Sequence, residues 1–212
     1  MNGPLTGLQR RDRRTPVYRR EAMRAGRVTS LLAAEAPLPS PRPSPAHLAT
    51  HMAARYFGTL ASSCGGLVAA SPTETTNDGN PSCGFLLHPT SAGSLPLIRL
   101  GTPQMKARPG YARLTYPIVG GLLSGTAADA SGRPSGLGSF SFEVAVTRAS
   151  ATYAVRVDDF AARLLGSGTS LPLRLLYQGT ESLVHRVLVA RFLRGFVKSI
   201  RTGGMPWLPR DS

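Results

Sequence analysis

The 212 residues have room for one ordinary domain plus a long extension, and a 42% apolar content with a mean hydropathy of −0.06 suits a globular protein. The uncharged window over residues 56–73 is too rich in Ser, Gly and Thr to insert in a bilayer, and no transmembrane helix is expected. The net charge of +14 rests almost wholly on arginine, since Lys106 and Lys198 are the only lysines among 25 basic residues. Such a field attracts nucleic acid, anionic membrane or acidic partners. The same skew toward Arg, Ala, Gly and Pro also follows from GC-rich codon usage, so charge alone selects no partner.

Residues 1–46 read as a disordered Arg/Pro-rich tail. The first thirty carry eight arginines, Arg10-Arg11 and Arg13-Arg14 among them, against only Asp12 and Glu21. Pro37, Pro39, Pro41, Pro43 and Pro45 then alternate with other residues, a spacing that forbids helix and favours an extended linker. Between these two stretches, Glu21–Ala34 has the composition of a short helix. A nucleic-acid-binding arm, an organelle-targeting peptide and an anchor for anionic surfaces compete for the tail with an unselected extension ahead of a start at Met23 or Met52. Tyr18 is the only aromatic among these arginines, which is too few for base stacking.

Residues 47–94 read as partly ordered, with a helix over His47–Leu60 and a loop over Ser71–Ser82. Cys64 and Cys83 are too few for a disulfide framework and lack partners at zinc-ligand spacing. They are expected to be free thiols in a reducing cytoplasm; an oxidising compartment would let them close one bridge. A start at Met52 would instead place Cys64 behind a short apolar stretch, as in a lipid-anchored protein.

Residues 95–202 hold the expected core. Leu95–Leu100 reads as a short strand. In Tyr111–Val119, Ala112, Leu114, Tyr116 and Ile118 alternate with polar or small neighbours, and Pro117 marks a bulge or an edge. In Ser139–Thr147, Phe140, Phe142, Val144 and Val146 take one face, with Ser141 and Glu143 on the other. Tyr153, Val155 and Val157 continue the pattern, and Leu171–Tyr177 reads as a fourth strand. A helix follows over Glu181–Ile200, N-capped by Thr180, with Leu188, Val189, Phe192, Leu193, Phe196 and Ile200 on one side. That side is expected to lie on the phenylalanine-bearing strand. Residues 203–212 read as a flexible end. The predicted class is α+β: a β-rich antiparallel meander or partial barrel packed by a C-terminal helix.

Signatures of phosphate-binding loops, hydrolase elbows and zinc proteases are missing from the sequence, and no cofactor or metal site is expected. His185 falls inside the apolar arc of the last helix, where a histidine can bind a ligand's polar end or act as a general base. Glu143 and Arg156 would line the lumen of a closed barrel, and Tyr177 can reach it from just before the helix. These four residues, Glu143, Arg156, Tyr177 and His185, form the expected ligand site. The leading function is binding of a small hydrophobic molecule between sheet and helix. The alternatives are a cofactor-independent isomerase or cyclase using His185 with Glu143 or Asp158, and nucleic-acid binding through the arginine-rich tail.

Overall fold

A computed structural model describes residues 17–24, 27–39, 42–63, 65–66, 68–73, 84–89, 96–124, 136–161 and 171–202. Alternating sequence builds the centre of the sheet. Strands β7 (Tyr111–Gly120), β8 (Ser139–Val146) and β9 (Ser150–Ala161) pair antiparallel in register, so that Leu114, Phe142 and Val155 form one row and Tyr116, Phe140 and Val157 the next. Each row places its apolar side chains on one face, as the period of two requires. Strands β3 (Val68–Thr73), β4 (Gly84–Pro89) and β5 (Ile98–Leu100) extend the sheet beyond β7. Strand β6 (Gln104–Arg108) pairs with the first half of β7, and β5 with the second half. Pro117 sits at this hand-over, where its carbonyl accepts from Gly101 N at 2.8 Å and its missing N–H falls opposite the link between β5 and β6.

The sheet reaches further toward the N-terminus than the tail assignment allowed. Strands β1 (Val17–Arg24) and β2 (Arg27–Pro37) replace the short helix expected over Glu21–Ala34, while residues 38–39 and 42–44 of the proline-spaced stretch form neither helix nor strand. They complete the strand order β1-β2-β9-β8-β7-β5-β4-β3, an open antiparallel sheet with β1 and β3 at its ends. The physical reason lies in burial. Strand β2 is covered on both faces, with Leu32, Ala34 and Ala36 on one side and Leu31 and Ala33 on the other, so its sequence is a continuous apolar run without alternation. Strand β1, charged along its length, suits an edge, where charge blocks pairing with other chains. Residues 1–16, 74–83 and 203–212, with Cys64, lie outside the described residues.

Two helices cover one face of this sheet. Helix α1 (Pro45–Ser63) begins where Ser44 Oγ accepts the backbone N–H of His47 at 3.2 Å, with Pro45 in the first turn. It ends where Gly66 N bonds to Ala61 O at 2.7 Å, Gly65 and Gly66 both at positive φ. Helix α2 (Leu171–Arg201) is longer than expected: Leu171–Tyr177 is helical, and Thr180 lies within the helix instead of capping it.

The division of labour between the helices also differs from expectation. The phenylalanine-bearing strand β8 is covered chiefly by α1, whose Leu48, Met52, Tyr56, Phe57 and Leu60 recur at helical spacing. Tyr56 meets Phe140 and Phe142 at ring distances of 5.5 Å and Phe192 of α2 at 5.1 Å, so it joins the sheet to both helices. Helix α2 packs mainly on β2, and its Phe196 meets Tyr153 of β9 at 5.3 Å. The two helices are tied by Arg55, which donates to Ser199 Oγ at 2.8 Å.

Candidate functional site

The register separates the expected site residues. Glu143 of β8 and Arg156 of β9 lie on the face of the sheet turned away from the helices, since Phe142, Val144, Val155 and Val157 occupy the other. There they belong to a half-buried charge network. Arg113 pairs with Asp158 and lies 3.5 Å from Glu143, while Arg156 donates to Asp158 at 2.6 Å. The Arg113 guanidinium also donates to Ser141 Oγ at 2.9 Å, covering that fully buried hydroxyl. Burial works against the charge of Arg156, but the hydrogen bond to Asp158 and the charges of Asp158 and Glu143 more than offset it, and its pKa is raised. Tyr111 is also raised, first by burial and then by the Glu143 carboxylate beside it. Four charges that neutralise one another across three strands fasten β7, β8 and β9 together.

The carboxylates expected to serve His185 are thus held by arginines on the face opposite α2. Tyr177 and His185 belong to α2, but their side chains lie outside the described residues. Asp159, next to Asp158, leaves the strand pattern with a φ of 53° at the irregular pairing of β2 and β9, and Arg27 donates to it at 2.6 Å. Among the described residues no group of three or more His, Cys, Asp or Glu is placed to hold a metal ion, and no helix is long and apolar enough to cross a membrane.

The helix-covered face carries polar atoms that sequence reasoning passed over. Tyr153 stands in the apolar row of β9 at 0% exposure, and its hydroxyl has no hydrogen-bond partner. Burial raises its pKa, so the phenol stays protonated. Ser30 of β2, 2% exposed, likewise has no partner for its hydroxyl. A buried hydroxyl left unpaired costs about 1–3 kcal/mol, so each such atom calls for a role. The signals were present in the sequence: a tyrosine where its strand neighbours are valines, and a serine entering an apolar run.

His51 of α1 faces α2, with its ring 6.0 Å from that of Phe196. Its pKa is lowered from 6.5 to about 4, first by burial and then by the charges of Arg55 and His47. It is therefore a neutral hydrogen-bonding group at ordinary pH. Between pH 6.5 and about 4 the unfolded chain binds a proton at this site and the folded one does not, so stability is present above this window and falls as the pH drops through it. Urea denaturation across that range should show a shallower loss in His51→Gln than in the parent. An unchanged slope would place the burden on the carboxylates.

No protein-family model matches the chain, and neither does any curated protein. Among solved structures, the chain is similar to a protein from Arthrobacter aurescens determined by solution NMR, at 9% identity and a TM-score of 0.34, over 91% of this chain and 96% of that one. It is also similar to Ara h 8.0201, at 12% identity and a TM-score of 0.35, over 81% of this chain and 99% of that one.

Proposed function

We propose that the protein binds a small, largely apolar molecule between α2 and the sheet, with the Tyr153 hydroxyl meeting its polar end. The observation that carries this reading is a fully buried, unpartnered hydroxyl on an otherwise apolar face. Ligand sites have this composition: apolar walls and a few placed polar groups that fix orientation. Aromatic side chains of α2 (Phe192 and Phe196) and of α1 (Tyr56) supply the walls. Ser30, on β2 opposite Val157 of β9, lies on the same face and gives a second polar contact for a longer ligand. Tyr177 and His185, on the covering helix, are further candidates for its polar end, whereas Glu143 and Arg156 serve the opposite face.

The test uses a neutral apolar fluorophore, N-phenyl-1-naphthylamine, displaced in parallel by medium-chain alcohols and by alkanes of equal length. The parent protein is expected to bind the fluorophore and to prefer the alcohols. Tyr153→Phe should keep the fluorophore, lose that preference, and gain about 1–3 kcal/mol of ligand-free stability by deleting an unpaired buried hydroxyl. Failure of the parent to bind, or an unchanged alcohol preference in the variant, would reject the reading.

A further inference from the structure

On its solvent side α2 exposes Arg191, Arg194, Lys198 and Arg201, and no acidic residue occurs between Arg186 and Thr202. At 100° per residue these four cations fall within about 80° of arc, and at 1.5 Å per residue they span about 15 Å. Among the described residues Arg191, Arg194 and Lys198 take part in no ion pair, in contrast to the neutralised network on the far face of the sheet. The opposite side of the helix, with Phe192, Leu193, Phe196, Val197 and Ile200, is buried against the sheet. What the helix offers to solvent is a row of positive charge.

From this row we infer a sequence-independent docking surface for the phosphate backbone of duplex nucleic acid. Arginine matches phosphate with two parallel hydrogen bonds, and three of the four cations are arginine. The exposed positions in this row carry no aromatic side chain on which a base could stack, which points to backbone contact and away from single strands. An interfacial membrane helix needs an apolar face to insert, and here that face is already occupied. A further observation concerns position. Val17 pairs with Ala34, Ala34 pairs with Tyr153, and the Tyr153 ring meets Phe196, so β1 begins level with the middle of the row. The sixteen residues preceding it include Arg10, Arg11, Arg13 and Arg14. In the sequence, a second basic stretch thus precedes a strand that packs on this helix. This surface is separate from the interior proposed to hold a ligand and stands without it.

Fluorescence anisotropy of the full chain with a labelled duplex, titrated over salt concentration, tests the surface. One comparison is the variant Arg191→Gln, Arg194→Gln, Lys198→Gln. The control, Arg99→Gln, Lys106→Gln, Arg108→Gln, removes the same charge from exposed positions on β5 and β6. The helix variant should bind at least about tenfold more weakly, and its slope of log affinity against log salt should fall by about 2–3. The control should lose less on both counts. Equal losses in the two variants would reduce the effect to net charge and overturn the proposal. So would the absence of duplex binding by the parent, or tighter binding to vesicles of anionic phospholipid than to the duplex.

Discussion

Replacing Phe142 with alanine is expected to lower the unfolding free energy by about 3–5 kcal/mol, the cost of emptying a well-packed aromatic site. Phe142 is fully buried on the central strand β8. Its ring lies 5.5 Å from Tyr56 and 5.7 Å from Phe57 of α1, 6.2 Å from Tyr116 of β7, and 5.2 Å from Phe140 on its own strand. Every one of these contacts is edge-on, the arrangement that rings prefer. The neighbours come from three elements and cannot all move inward, so most of the void persists. Phe142→Leu keeps much of the volume and should cost far less, and Val119→Ala, at an exposed position, should change stability by no more than about 0.5 kcal/mol. Chemical denaturation of the three variants checks this ordering. A loss below about 1 kcal/mol for Phe142→Ala would mean that α1 does not close over β8.

Gly138→Ala is the second large effect, expected to cost about 2 kcal/mol or more. Gly138 adopts a φ of +101°, and an added Cβ would stand 2.6 Å from Asp158 O and 2.7 Å from Asp159 O. Both obstacles are backbone, so the start of β8 or the end of β9 must shift. The shift would strike a junction: Gly138 O accepts from Ile118 N, Asp158 anchors Arg113 and Arg156, and Asp159 anchors Arg27. Gly58→Ala is the matched control. It lies inside α1 where a Cβ meets nothing, and should gain about 0.5–1 kcal/mol from helix propensity. Thermal unfolding of both variants separates the two kinds of glycine. Equal responses would contradict the junction described here.

What the sequence made legible was whatever obeys a single period. Strands β7, β8 and β9 each bury one face, so Leu114, Phe142 and Val155 announced their side in advance. The C-terminal helix likewise showed its stripe. Strand β2 was illegible for the opposite reason: its Leu31-Leu32-Ala33-Ala34 run is buried on both sides, and without alternation it resembles helix. Strand β1 was hidden by its charge, because Arg19, Arg20 and Glu21 resemble a solvated tail until a neighbouring strand is known. The site suffered from the same limit. Alternation correctly put Glu143 and Arg156 on one face, but only the position of α1 and α2 tells which face is covered. Tyr153 was read as another apolar member of its row, since nothing local reveals that its hydroxyl lacks a partner.

The two faces now have distinct characters. One is a neutralised lattice in which Arg113, Glu143, Arg156 and Asp158 offset one another; it joins strands and leaves little field for a ligand. The other is apolar, roofed by two helices, and marked by hydroxyls that the protein itself does not satisfy. The ligand is proposed for the second face because the charges of the first offset one another, while the Tyr153 and Ser30 hydroxyls on the second have no partner.

The most direct measurement is a tyrosine- and phenylalanine-selective NMR titration with a medium-chain alcohol. Ring signals of Tyr153 and Phe196 should shift together on saturable binding while Tyr111, on the opposite face, stays still. Movement confined to Tyr111, or none at any ring, would leave the roofed face without an occupant.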